Sequence, residues 1–200
     1  MEKQLPKDYK ITLAFDTPKE WVDAAIENFD TFLIDHADNE RKASNMALGF
    51  IAKAPEKVEI IPDLIDIALE ELVHFKQVYK IMTKRGLSFP KQIERDDYVN
   101  RLIKTCRSGW KERFLDRLLI ASIVETRGAE RFRLISENHP EAEMEAFYTM
   151  LYKSEDRHGN IFVEMALIYY EKDEVMKRLD EMVQIEAEIC ASLPFSGLVH

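Results

Sequence analysis

The sequence predicts an all-α protein, an up-down four-helix bundle with additional shorter helices. Three observations carry this. The 200 residues hold only 6 Gly and 7 Pro, too few turn formers for a β-rich domain. Long proline-free stretches run over 19–54, 63–89, 91–139 and 141–193. Within them, apolar residues recur at steps of three and four, the period of one helical face. The length suits a single domain over 1–200 with a sizeable core.

Each element has its own signals. Thr17-Pro18-Lys19-Glu20 reads as a capping box, with Pro at the first helical position. The first helix is expected over 18–52. The second, 56–85, starts among Pro55–Pro62 and stops at Gly86, a suitable residue just past a helix end. A short helix is expected over 96–106. The third long helix, 111–137, ends at the His139-Pro140 turn. The fourth covers 141–171, and a final helix covers 173–191. Short connections join the first pair of long helices and the second pair, and a longer one separates the two hairpins.

The apolar stripes of the four long helices carry the chemistry. They read Val22, Ile26, Phe29, Leu33, His36, Glu40, Ala43, Ala47, Phe50; then Leu64, Ile67, Glu71, His74, Val78, Ile81. The second hairpin continues with Leu115, Leu118, Ser122, Glu125, Ala129, Phe132; then Met144, Tyr148, Leu151, Glu155, His158, Phe162, Met165, Tyr169. Every stripe is interrupted near its middle by a glutamate. The second and fourth helices add a histidine three residues later on the same face. Burying an ionised carboxylate without a partner costs several kcal/mol, so four of them on core faces require a cation between them. A Glu from each of two helices and a Glu-x-x-His from each of the other two is the ligand set of a di-iron or di-manganese carboxylate bundle. The candidate ligands, and the candidate catalytic centre, are Glu40, Glu71, His74, Glu125, Glu155 and His158.

The spacing is internally consistent. Glu40 to Glu71 spans 31 residues and Glu125 to Glu155 spans 30, so the hairpins read as a pseudo-repeat. Glu130 is a rival on the third helix, but it falls off the stripe. It would also shift the ligand about 7.5 Å along the axis at ~1.5 Å per residue. It is assigned to support of the site or to the surface. His36, one turn before Glu40, reads either as a core histidine or as support for Glu40. Tyr148 and Tyr169 read as core aromatics or as pocket lining. Gly128 and Gly159, inside helices, imply close helix packing or room beside the metals.

Composition bounds the setting. Lys+Arg 28 against Asp+Glu 37 gives a net charge of −9, which argues against a general nucleic-acid coat protein. No apolar run is long enough to span a membrane, and MEKQLPKDYK lacks the apolar core of a signal peptide. Two cysteines, Cys106 and Cys190, form no framework, so a cytoplasmic location is expected. One stretch departs from the acidic balance: Arg101, Lys104, Arg107, Lys111 and Arg113 surround Trp110, with Glu112 the single acid among 101–113. These residues either hold phosphates and stack a base or form a solvated amphipathic helix.

Four segments resemble the MiaE family of tRNA hydroxylases: DHADNERKA (35–43), ALEELVHFKQVYKIMTKRG (68–86), IVETRGAERF (123–132) and FYTMLYKSEDRHGNIF (147–162). The likeness spans about residues 15–170. It implies a ferritin-like di-iron protein that uses O₂ to hydroxylate the isopentenyl side chain of 2-methylthio-N6-isopentenyl adenosine in tRNA. It also implies two Fe ions as cofactor, Mn being possible, with Glu71 and Glu155 bridging and Glu40 and Glu125 terminal. The expected partners are tRNA and an external electron donor, because the chain shows no flavin or nicotinamide fingerprint. No membrane and no stable protein partner are implied. The alternative is a ferritin- or rubrerythrin-like ferroxidase, iron-handling or peroxide-scavenging protein.

Overall fold

A computed structural model describes residues 5–6, 9–92 and 96–199, with the side chains of 156 and 157 set aside. Among the described residues all regular structure is helical. In chain order the helices are α1 (Lys19–Glu27), α2 (Phe29–Lys53), α3 (Ile61–Lys84), α4 (Asp97–Lys104), α5 (Trp110–Asn138), α6 (Ala142–Tyr169) and α7 (Lys172–Ser192); a 3-10 turn, Val58–Ile60, precedes α3. No described helix is long and apolar enough to cross a membrane. The chain divides into two compact units. One holds the described residues of 23–94 and 195–199; the other holds those of 1–22 and 95–194.

In the first unit, α2 and α3 form a helical hairpin. The Ser44 hydroxyl donates to the Ala68 carbonyl at 2.8 Å, tying the two helices across their packed faces. Phe32, Leu33, Ala47, Leu64, Ile67 and Val78 fill the seam. The helix expected over 18–52 is interrupted at Asn28 (φ −111, ψ 40). The Asn28 amide side chain and its backbone N–H both donate to the Ala24 carbonyl, each at 3.0 Å. This local bond competes with the regular ladder and lets α2 restart at Phe29. The end of α3 follows the expected glycine stop. Gly86 has φ 72, Leu87 N–H donates to Met82 O and Gly86 N–H to Thr83 O, which is a Schellman closure. The segment 195–199 returns onto α1 and α2. Val199 N–H donates to Asp35 at 2.7 Å, and a Cβ on Gly197 (φ 69) would lie 2.5 Å from Ala25 N, so only glycine fits.

In the second unit, α5 and α6 form the other hairpin, with α4 and α7 packed alongside. Asp96 caps α4 by accepting from Val99 N–H at 2.9 Å. Helix α5 is buried over much of its circumference, from Phe114 to Ser136. Helix α1 begins at Lys19, two residues after Thr17; instead of closing the expected capping box, the Thr17 hydroxyl and N–H donate to Glu130 of α5, at 2.7 and 2.9 Å. A carboxylate distant in sequence therefore serves this helix start.

Candidate metal centre

The two hairpins are built alike around their interrupted stripes. In the first, Glu40 on α2 and Glu71 and His74 on α3 are all buried, at 4%, 1% and 5% exposure. One ligand atom from each lies within 4.8 Å of those of the other two. His74 Nδ1 is 3.6 Å from Glu71 Oε2 and 3.8 Å from Glu40 Oε2. The i, i+3 spacing on α3 is what turns carboxylate and imidazole to one side. The other oxygen of Glu40, Oε1, accepts from His36 Nε2 at 2.6 Å. His36 is fully buried and packs beside Phe32, so both readings of this residue apply: it is a core side chain, and it holds Glu40.

In the second hairpin, Glu125 on α5 and Glu155 and His158 on α6 are buried at 7%, 2% and 1%. Their ligand atoms also lie within 4.8 Å of one another. His158 Nδ1 donates to Glu155 Oε2 at 2.9 Å. The stripe residues flanking them, Leu118, Ser122, Phe132, Leu151 and Phe162, are buried. Ser122 Oγ donates to the Gly159 carbonyl, and a Cβ on Gly159 would sit 2.6 Å from Thr126 Oγ1. Gly159 is there for close α5–α6 approach. Tyr148 is fully buried against Phe132 and Phe147, and Tyr169 meets Phe114 edge-on.

Each triad sets two carboxylates and an imidazole together away from water. Two buried like charges at such range repel strongly. A dication answers both carboxylates, and mixed oxygen and nitrogen donors suit iron or manganese. The residues present therefore fit the metal that the sequence calls for. Glu130 is not among them. It accepts from Thr17 and from Arg127.

The basic stretch is more divided than its composition implies. Arg107 is bound to the buried Asp116 by its backbone N–H and by Nε and the terminal nitrogen, at 2.7–3.1 Å. Arg101 pairs with Asp97 at 2.7 Å and donates to Ser192. Lys104, Trp110, Lys111 and Arg113 are exposed, with Lys111 lying over the Tyr170 ring.

Sequence reasoning missed a buried polar system beside these elements. Arg127 on α5 has no solvent exposure and donates to both oxygens of Glu186 on α7, at 2.8 and 3.0 Å. Tyr98 of α4 and the Cys190 thiol donate to the same carboxylate. Burial, then Glu186, pushes the Cys190 thiol up to about 12. A charge on a helix with its partner 59 residues away gives no local signal.

Fold and donor set together define a ferritin-like carboxylate–histidine protein. The chain belongs to the MiaE family: the model described as tRNA-(MS[2]IO[6]A)-hydroxylase (MiaE) matches residues 4–199. The tRNA 2-(methylsulfanyl)-N(6)-isopentenyladenosine(37) hydroxylase of Pseudomonas putida is 31% identical over 180 residues, covering 90% of this chain and 87% of that protein. The protein of the same name from Salmonella typhimurium is 27% identical over 67% of this chain and 48% of its own length. Among solved structures, protein 43 with aldehyde deformylating oxygenase activity from Synechococcus superposes with a TM-score of 0.87. It is 29% identical, and 94% of each chain is covered. The chain is accordingly an enzyme of the oxidoreductase class, and its fold is the ferritin-like one expected.

Proposed function

We propose that this enzyme hydroxylates the isopentenyl side chain of 2-methylthio-N6-isopentenyl adenosine in tRNA, with O₂ as co-substrate and two iron ions as cofactor. The observation that carries the proposal is the pair of buried Glu-x-x-His triads within a chain of the MiaE family. Glu40, Glu71 and His74 would hold one ion, and Glu125, Glu155 and His158 the other. When bound, two irons supply the electrons that activate O₂ and the oxidising power that breaks an unactivated C–H bond.

The rest falls to the chain. The carboxylates and imidazoles fix ligand number and charge. The apolar residues of the same stripes exclude water, which keeps the oxidant from being quenched. One oxygen atom of O₂ enters the C–H bond as a hydroxyl and the other leaves as water. The two electrons and two protons this requires come from an external donor. Exposed Lys104, Trp110, Lys111 and Arg113 are the cations and aromatic free to meet tRNA phosphates and a base, with Arg101 and Arg107 engaged within the protein. A cytoplasmic location follows from the substrate.

The test is reconstitution. Iron-loaded enzyme, a chemical or protein reductant, O₂ and tRNA bearing the isopentenyl nucleoside should yield the hydroxylated nucleoside by mass spectrometry. Unchanged nucleoside alongside rapid Fe(II) oxidation would favour the iron-handling alternative. Glu71→Ala should leave the helical content intact and abolish uptake of the ion pair.

A further inference from the structure

Helix α3 carries two candidate ligands on one side, and the opposite side is apolar where a water-facing side is expected to be polar. Within Glu71-Leu72-Val73-His74 the glutamate and histidine are buried, while Leu72 and Val73 are each 51% exposed. Leu69, one turn before Val73, and Tyr79, two turns after Leu72, are exposed on the same face. The Tyr79 ring is stacked on Phe89 at 6.0 Å and lies 5.9 Å from Phe75, which makes it a rigid anchor.

Further along, this face turns cationic. Lys76, Lys80 and Lys84 stand on it at intervals of four and are exposed. The sequence over 72–92 holds Lys76, Lys80, Lys84, Arg85 and Lys91 and neither Asp nor Glu. In a chain of net charge −9, that is a local reversal of sign. Aliphatic side chains bordered by cations suit an acidic protein surface. Phosphates and sugars would answer the lysines but give Leu69, Leu72 and Val73 no apolar partner.

Position decides what such a partner is for. A helix with its side chains is about 10 Å thick. The α3 backbone stands between this face and the ion that Glu71 and His74 would hold, so a substrate C–H bond cannot reach the ion from here. An electron can cross that distance by tunnelling. We propose that the outer face of α3 is where the external electron donor docks, and that this donor is a small protein with an acidic face and a one-electron redox group. The inference rests on the ligand assignment and the reaction proposed above. Two donor molecules each lose one electron per hydroxylation; those two electrons and two protons from solvent reduce the second oxygen atom of O₂ to water. From Leu69 to Lys80 the face is about 16 Å long, a size suited to the small interfaces of brief electron-transfer encounters.

An acidic plant-type ferredoxin is the probe, in two measurements on the full chain. Carbodiimide, which joins amines to carboxylates in contact with them, should cross-link the ferredoxin to Lys76 and Lys80, as mapped by mass spectrometry. In stopped flow, the reduced ferredoxin should reduce the iron-loaded protein at a rate that falls with ionic strength. Lys76→Glu combined with Lys80→Glu should abolish the cross-links and slow the reduction by about 10-fold or more. In this variant dithionite should reduce the iron to the same extent as in wild type, tRNA affinity should be unchanged, and circular dichroism should show the helices intact. The proposal is overturned if cross-links form elsewhere or not at all, or if the charge reversal leaves the reduction rate unchanged. It is also overturned if the reversal weakens tRNA binding, which would assign the face to RNA, or if wild type sediments as a dimer that Leu72→Ser breaks, which would assign it to a second copy. Docking and iron reduction without any hydroxylated nucleoside would overturn the proposed reaction and leave this surface standing.

Discussion

Arg107 and Arg178 both donate to the buried Asp116, at 2.7–3.1 Å. Burial alone would raise that carboxyl, but the bonds from the two guanidinium groups outweigh it and hold it below its ordinary 3.8. A carboxylate depressed on folding stabilises the protein above its unfolded value, and that contribution fades as pH falls through the lower folded value. Wild-type stability should therefore drop below about pH 4, and Asp116→Asn should flatten the acid limb in urea melts taken across pH. Asp116→Ala should cost about 2–3 kcal/mol at neutral pH. The Arg127–Glu186 pair is buried on both sides. Arg127→Met alone should cost about 3–5 kcal/mol by stranding Glu186, and adding Glu186→Leu should recover part of that. A double-mutant cycle in guanidinium measures the recovery. None of these charges could be placed from sequence, because an isolated Arg or Asp on a helix is read as solvated until its partner is known. The six candidate ligands stood out for the opposite reason. Four are glutamates, one on each otherwise apolar stripe at matched spacing, and two are histidines three residues after a glutamate.

The helices themselves were readable because proline spacing and a period of three to four act over many residues and reinforce each other. Gly86 and Asp96 stop and start helices as their types suggest. The interruption at Asn28 was not readable. A single Asn is tolerated inside a helix, and its bond to Ala24 is a local choice that the surrounding apolar period does not reveal. Gly159 is the element-scale test of α5–α6 packing. Gly159→Ala gains helix propensity of about 1 kcal/mol, but its methyl would meet Thr126 Oγ1 at 2.6 Å. The net effect should be a loss of about 1–2 kcal/mol. Gly159→Ala combined with Thr126→Ala should recover it, read as the shift in thermal midpoint.

At the scale of the molecule, metal and charge act together. Removing the ions with a chelator should lower the thermal midpoint, since each ion present at 100 times its dissociation constant contributes about 2.7 kcal/mol. Differential scanning calorimetry before and after chelation reads this directly. The net charge of −9 disfavours indiscriminate RNA binding, so tRNA affinity should depend on few phosphate contacts. Replacing Lys104, Lys111 and Arg113 with Ala should weaken tRNA binding and reduce the salt slope by about one per lost contact. Arg107→Ala should act chiefly on stability, through Asp116. Helix α5, buried from Phe114 to Ser136, has a consequence for isotope labelling. Its central amides can exchange with deuterium only when the surrounding structure opens cooperatively, whereas the eight-residue α4 can fray by itself. Exchange at Ile120–Ala129 therefore serves as a built-in gauge of the unfolding of its own unit, against which the effect of added iron can be measured residue by residue.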